Sequence, residues 1–307
     1  MKNQINKASN FASRDKNSMY ANVLIKDAKV QCQDGMAGIS IDIDTDLSFC
    51  CNAEKLKTIL SNCNESDLKI TVGKKLNIKS GNFKSSIKLA EIESYPAVTN
   101  NSEMKDIASI IPDMKMLSKF TDPTDVRLFV HGVYLTKDGM SATNGHVAVK
   151  KTIALDVESG VIVPTKSIDK FSALKEDINS IAIENQSIYF GFDGGFVFSK
   201  TIDTKMPDIS KFFCKVEDAT LLSDIKQPIQ QISSLCFDSR TVLIKDEIKT
   251  LDWESVISGF NYPECAFNVD YMLDIIDIAD IIDLSKYPDA CPFEGDNIQG
   301  IISGIRI

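Results

Sequence analysis

The sequence predicts an α+β chain built from three copies of one small domain, and three observations lead there. First, Val23-Leu24-Ile25-Lys26-Asp27 returns unchanged as Val242-Leu243-Ile244-Lys245-Asp246, each time in a short β-type run that ends in a turn. Second, one helical pattern occurs three times, at 53–60, 165–172 and 269–276, with apolar residues at the same positions. Third, alternating strands follow that helix: Lys69-Ile70-Thr71-Val72 and Leu76-Asn77-Ile78 in one copy, Ser180-Ile181-Ala182-Ile183 and Ile188-Tyr189-Phe190 in the next, and both copies finish alike on Tyr95-Pro96 and Met206-Pro207. A period of about 105 to 110 residues is too long for a solenoid or propeller repeat and means duplicated whole domains. The boundaries are 1–102, 103–217 and 218–307, each large enough for a modest core.

The elements follow in order. Residues 4–13 read as a helix, then strands at 20–26, 28–33 and 37–49, with Asp34-Gly35 turning a hairpin. Helix 53–62 and strands through 92 complete the first copy. The second opens with a helical pattern over 105–120, then strands 127–136 and 140–150 about the turn Asp138-Gly139. Pro164-Thr165 is a good start for helix 165–176, and Asp193-Gly194-Gly195 turns a late hairpin. The third copy has helix 221–235, strands 240–251, helix 268–283 and a final strand 298–307.

Hydrophobic residues are 43% of the chain and charged residues 25%, ordinary globular chemistry. No stretch is apolar enough to span a bilayer, and the polar start Met1-Lys2-Asn3-Gln4 has no signal-peptide character, so a cytoplasmic protein with no membrane partner is expected. The eight cysteines form no CxxC pair and only two histidines, His131 and His146, are present. Zinc spacing is therefore missing, no metal or cofactor is expected, and the cysteines read as free thiols of a reducing compartment. Net charge is −9, but unevenly spread: +3 for 1–102 (14 basic, 11 acidic), −2 for 103–217 (14 and 16) and −10 for 218–307 (6 and 16).

Motif by motif, little chemistry is called for. Asp42-Ile43-Asp44-Thr45-Asp46 starts like a calcium loop, but the following Gly and terminal Glu are missing. The alternation of Ile39, Ile41 and Ile43 with Ser40, Asp42 and Asp44 reads better as a half-buried strand showing its acids to water. Gly73-Lys74-Lys75 lacks phosphate-loop spacing and reads as a hairpin turn. His146 has no nucleophile motif near it, so no catalytic residue is assigned. The predicted helices carry Lys7, Arg14, Lys55, Lys57, Lys115, Lys119, Lys166, Lys170, Lys175 and Lys226. By spacing alone these are ordinary solvated faces. Helix 268–283 opposes a basic surface, with Asp270, Asp274, Asp277, Asp280 and Asp283 and no base.

A set of segments nevertheless falls in a family's order. Gly132-Val133-Tyr134-Leu135 through Ala142-Thr143-Asn144-Gly145-His146-Val147, Val161-Ile162-Val163-Pro164, Phe198-Ser199-Lys200, Met206-Pro207-Asp208, Phe267-Asn268-Val269-Asp270-Tyr271 and the ending Ile305-Arg306-Ile307 together resemble the bacterial DNA polymerase III β subunit, the sliding clamp. The resemblance covers nearly the whole chain. It implies three clamp-type domains per chain, a head-to-tail homodimeric ring with helices lining the hole and antiparallel sheets outside, and no chemistry. The ten basic residues become the expected lining for double-stranded DNA, read without sequence specificity, with Arg14 near a family contact. Thr124 stands where the family places a polar DNA contact.

The resemblance further implies a cleft for short peptides of the replicative polymerase and clamp loader. The matching positions are Val130, Thr143, Gly145, His146, Val147, Pro207, Lys211, Phe212, Ser303, Gly304, Ile305, Arg306 and Ile307. The chain departs from the pattern there: the Gly-His segment is one residue short, and Ser303-Gly304-Ile305 replaces Met-Pro-Met. The dimer joint would set the +3 copy against the −10 copy, with Ile87, Leu89, Leu235 and Phe237 as its apolar part. The family's opening strand is short or missing before Ile5. The sequence thus predicts a DNA sliding clamp, a non-enzymatic processivity factor. The alternative is a clamp-fold module that binds clamp-binding peptides without encircling DNA, and a hydrolase using His146 with a cysteine is weaker than either.

Overall fold

The computed structural model describes residues 1–155, 157, 160–251 and 255–306. Among these residues the fold is mixed α+β, with six α-helices and antiparallel sheets. The chain divides into two compact units: Met1–Pro112 with Lys166–Thr201, and Asp113–Thr165 with Ile202–Ile307. This division does not follow the sequence copies, because the second copy contributes strands to both units.

The first unit holds an eleven-stranded sheet. In its middle Asn22–Lys26 pairs with Lys29–Gln33 on one side and Phe49–Asn52 on the other. Ala37–Asp42 of the first copy pairs with Gly195–Lys200 of the second, placing Val197 opposite Ile39 and Phe198 opposite Gly38. Only glycine fits at 38, since a Cβ there would meet the Phe198 ring. Helices α1 (Lys2–Ser9) and α2 (Ala53–Ser61) belong to this unit, as does α4 (Thr165–Leu174) from Lys166 onward. Ile5, Ala8, Leu56, Leu60, Ile168 and Phe171 turn inward at helical spacing. The Phe171 ring meets Phe11 at 6.3 Å and Phe190 at 5.6 Å, each burial worth roughly 1.5–3 kcal/mol.

The second unit has an eight-stranded sheet, in which Val147–Thr152 of the second copy pairs with Ile298–Ser303 of the third, and a four-stranded sheet running Val256–Ser258, Glu247–Thr250, Thr241–Ile244, Cys265–Asn268. Helices α5 (Leu222–Ser233) and α6 (Val269–Ile276) present Ile225, Ile229, Met272 and Ile275 to its core. Helix α3 (Ile111–Leu117) has Pro112 in its first turn, where the missing N–H is no loss.

The repeated pentapeptide holds equivalent places. Val23 and Leu24 face Cys51 and Cys50, as Val242 and Leu243 face Phe267 and Ala266. Each partner strand ends on an asparagine that caps the next helix. Asn52 accepts from the Lys55 N–H, and Asn268 accepts from those of Asp270 and Tyr271.

Several expected boundaries shift. The helix expected at 4–13 is Lys2–Ser9, after which the chain turns and Ser13 N–H donates to the Tyr20 carbonyl at 2.8 Å. The run 37–49 breaks after Asp42 and resumes at Phe49, because Phe49–Asn52 is recruited by Asn22–Lys26. Ile39, Ile41 and Ile43 are buried and Asp42 and Asp44 exposed, but Ser40, expected on the solvent face with them, is buried, where its hydroxyl accepts from Gln31 Nε2 at 3.2 Å. In 105–120, Lys105–Asp106 is a strand pairing with Ser180-Ile181 and only Ile111–Leu117 is α-helical. The expected strands 127–136 and 140–150 are shortened, by a 3-10 turn at Leu128–Val130 and by the turn Asn144-Gly145-His146. The helix expected at 268–283 stops at Ile276, and Ile281–Ile282 is a strand. Asp283 is wholly buried, its carboxylate accepting the Glu217 and Asp218 N–H groups at 3.2 Å. The final strand ends at Ser303.

Candidate functional site

The ten basic residues differ sharply in what they face. In the first unit Lys7 is bonded to Glu176, and Lys170 Nζ lies 2.6 Å from Asp34 Oδ2 and 5.6 Å from the Phe11 ring centre. Asp34 also receives the Met36 and Ala37 N–H groups with its other oxygen. Partial burial pushes its acidity the other way, but the Ala37 N–H and Lys170 hold the carboxyl below its ordinary value. Arg14, Lys16 and Lys57 line a cleft of about 480 Å³ with Ser13 and Asn52, where Lys57 donates to Asn10 at 2.7 Å. Lys55, Lys166 and Lys175 are exposed. Lys175 takes φ +57°, ending α4.

In the second unit Lys119 Nζ lies 3.0 Å from Asp274 and 3.5 Å from Asp277, and Lys226 Nζ lies 3.8 Å from Asp277. Arg240 is bonded to Asp270. The acids of α6 are therefore answered by bases from elsewhere in the unit. Only Asp270 and Asp274 of the five aspartates lie on the helix. Lys115 is exposed. Thr124 donates to Asp122 at 2.6 Å.

The residues expected to hold a peptide form two neighbouring groups within the second unit. One is the turn between Gly139–Thr143 and Val147–Thr152. Thr143 Oγ1 donates to the Val147 carbonyl at 2.7 Å and accepts from Gly145 N–H, while Asn144 Oδ1 accepts from His146 and Val147, both at 2.9 Å. Gly145 has φ +90° and lies under the Arg127 guanidinium, so a side chain there would meet both backbone strain and a clash. Strand pairing carries the chain's end to this turn: Ser303 N–H donates to the His146 carbonyl at 2.8 Å. Ile305 N–H donates to Ala266 at 2.8 Å and its carbonyl accepts from Tyr287 Oη at 2.5 Å. Gly304 lies on the Tyr287 ring. Ile307 lies outside the described residues, Arg306 is exposed, and Val130 is wholly buried.

The second group surrounds a cleft of about 320 Å³ lined by Tyr134, Met140, Ser141, Lys150, Met206, Pro207 and Phe213 among others. Lys211 and Phe212 belong to the adjoining turn Ser210–Phe212, where the ammonium sits 5.2 Å from the ring centre of a half-exposed Phe212. Burial is uneven among the expected joint residues. Ile87 is 5% exposed and committed to its own core, Leu89 and Leu235 are half-buried, and Phe237 is 64% exposed.

No protein-family model matches the sequence, and no curated protein matches it. Solved structures do. The DNA polymerase III subunit β of Pseudomonas aeruginosa superposes with a TM-score of 0.83 at 18% identity, over 100% of this chain and 97% of that one. The Helicobacter pylori β clamp bound to a DNA ligase peptide gives 0.85 at 15%, and the Bacillus subtilis DNA polymerase sliding clamp 0.85 at 15%, both with the same coverage. The chain has the fold of the bacterial DNA sliding clamp. The resemblance in the residues is therefore borne out as a likeness of fold.

Within the clamp fold, sequence reasoning missed side chains that the tertiary contacts bring in. The His146 ring stacks on Tyr271 with centroids 6.0 Å apart, and burial raises the Tyr271 phenol above its ordinary value. Arg127 is held to Asp125 by a two-point pair at 2.9 and 2.7 Å, with Nη2 3.5 Å from the Asn144 carbonyl. That pairing holds the Asp125 carboxyl down at about 2. Tyr134, Met206 and Tyr271 lie inside the segments that carry the resemblance without having been assigned to the cleft, and Arg127 lies outside all of them. Among the described residues no group of three or more His, Cys, Asp or Glu side chains is arranged to hold a metal, and no helix is long and apolar enough to cross a membrane.

Proposed function

We propose that this chain is a DNA sliding clamp, a non-enzymatic processivity factor. The observation that carries the reading is the superposition over the full chain on bacterial clamps at TM-scores of 0.83 to 0.85. In this reading Arg14, Lys55, Lys57, Lys166 and Lys175 supply a mobile, salt-sensitive contact with duplex phosphates. The three domains of the sequence repeat are the working units, and the turn at Thr143–Val147, the Pro207 cleft and Ser303–Ile305 hold a short peptide of a polymerase or loader. The ligase peptide on the H. pylori clamp supports that last assignment.

Sheet order supports a head-to-tail dimer. Twice, the third strand of one copy pairs with the last strand of the next, Ala37–Asp42 with Gly195–Lys200 and Val147–Thr152 with Ile298–Ser303. The third such strand, Val256–Ser258, is the edge of its sheet. By the same rule it would take the Phe83–Lys88 stretch of a second copy, which pairs with Lys75–Ser80 on one side while Phe49–Asn52 reaches only Leu89 and Ala90, closing a heterologous pair. Retention on DNA tests the reading: the protein assembled on circular DNA should stay bound through gel filtration and leave once the circle is cut. Equal retention on cut and uncut DNA would sink it.

The second reading is a clamp-fold module that binds peptides without encircling DNA. Lys7, Lys119, Lys170 and Lys226 favour it, since each faces a carboxylate of its own chain. Single three-domain particles in electron micrographs at micromolar concentration would select it over closed rings.

A further inference from the structure

From Leu68 to Ala90 the chain carries six lysines and not one Asp or Glu, within a protein whose net charge is −9. The strands Lys69–Val72, Lys75–Ser80 and Phe83–Ala90 set five of these lysines on one face. Lys69 lies directly opposite Lys79, Lys79 opposite Lys84, and Lys75 opposite Lys88. Adjacent strands are about 4.8 Å apart. Leu76, Ile78, Ser80 and Ile87 alternate with them and are buried, so the lysine face turns away from the core and all five are exposed.

Like charges placed directly opposite on a sheet are destabilising. Here the arrangement occurs three times without relief, because none of the five ammonium groups makes an ion pair or hydrogen bond among the described residues. Between the lysine rows lies a row of short polar groups, Thr71 opposite Asn77 and Asn77 opposite Ser86. The face encloses a depression of about 590 Å³. A local rule broken without compensation marks a site kept for what it binds.

We propose that this lysine face is a second nucleic-acid surface, which takes the phosphate backbone of duplex DNA on the side of the sheet away from the core. Ammonium groups neutralise phosphates, and hydroxyl and amide side chains donate to phosphate oxygens. Single strands fit less well, because they need aromatic rings for the bases to stack on and this face has none. The assignment stands on charge and register and does not depend on ring closure.

The test is binding of a linear 20-base-pair duplex across a salt series by the full chain and by Lys69→Gln/Lys75→Gln/Lys79→Gln, which leaves Phe83–Ala90 untouched. The variant should bind about tenfold more weakly at low salt, and its slope of log K against log salt should be shallower by about 2 to 3. Lys55→Gln/Lys57→Gln serves as the helix comparison, and its loss should add to that of the triple variant. The triple variant should melt no lower than the wild type, since the substitutions relieve repulsion. An unchanged affinity and slope would overturn the proposal. So would loss of polyglutamate binding with duplex binding intact, which would make the face a site for acidic protein.

Discussion

Lys119 points its ammonium at Asp274, 3.0 Å away, and so ties the second sequence copy to the acidic helix of the third. The hydrogen bond to Asp274 raises the lysine above its ordinary value. A raised base contributes stability below its unfolded value, and that contribution is lost as pH climbs through the folded one. With 44% of the lysine side chain exposed the pair is screened, so Asp274→Asn should cost no more than about 1 kcal/mol. The difference in melting temperature from wild type should shrink above pH 10.5, the lysine's ordinary value. Duplex binding should strengthen slightly, because one negative charge is removed while Asp277 stays 3.5 Å from the lysine.

The two asparagine caps offer a test of the repeat. Asn52→Ala and Asn268→Ala should each lower stability by about 1 kcal/mol, and the double variant should show the sum. Urea unfolding measures this, and a markedly non-additive result would mean that the two helices are not independent.

For the peptide surface, Tyr271→Ala removes the ring on which His146 stacks, and Phe213→Ala opens the wall beside Pro207. Each should weaken a clamp-binding peptide about tenfold, or ~1.4 kcal/mol. Isothermal titration reads the loss, while duplex affinity should stay unchanged.

Thiol chemistry should be confined to one position. Burial pushes Cys50 up to about 11 and Cys51, Cys265 and Cys291 to about 12, which leaves little thiolate at neutral pH. Cys214 is exposed and the other seven cysteines are buried. A thiol reagent at pH 8 should label one site quickly, and Cys214→Ser should abolish that phase.

Self-association should weaken several-fold between about 0.05 and about 0.5 M salt, as oppositely charged faces require. Phe237→Asp, at a position 64% exposed, should weaken it at both salts. Sedimentation gives the dissociation constant, and indifference to salt would remove the electrostatic account of the joint.

Much of the fold was legible because it is local. Apolar spacing at 53–60 and 269–276 and the turns at Asp34-Gly35 and Asp138-Gly139 are written in adjacent residues, and the repeat announced itself in Val23–Asp27 and Val242–Asp246. The candidate site was legible where its residues are contiguous, as in Thr143–Val147. Ser303 meets His146, and Tyr271 stacks on it, only through strand and helix packing that spans much of the chain.

The sequence by itself determined the repeat, the helix and strand types and the division of charge between copies, because periodicity, turn chemistry and composition act over a few residues. Tertiary structure decided which charges are available. Lys7, Lys119 and Lys170 look like Lys55 and Lys166 in sequence, yet the first three meet carboxylates far along the chain. It also decided the lysine face, since strand register alone sets Lys69, Lys79 and Lys84 in one row. Ion pairing and cross-strand contact depend on distance in space, and that distance is set only when the sheets assemble.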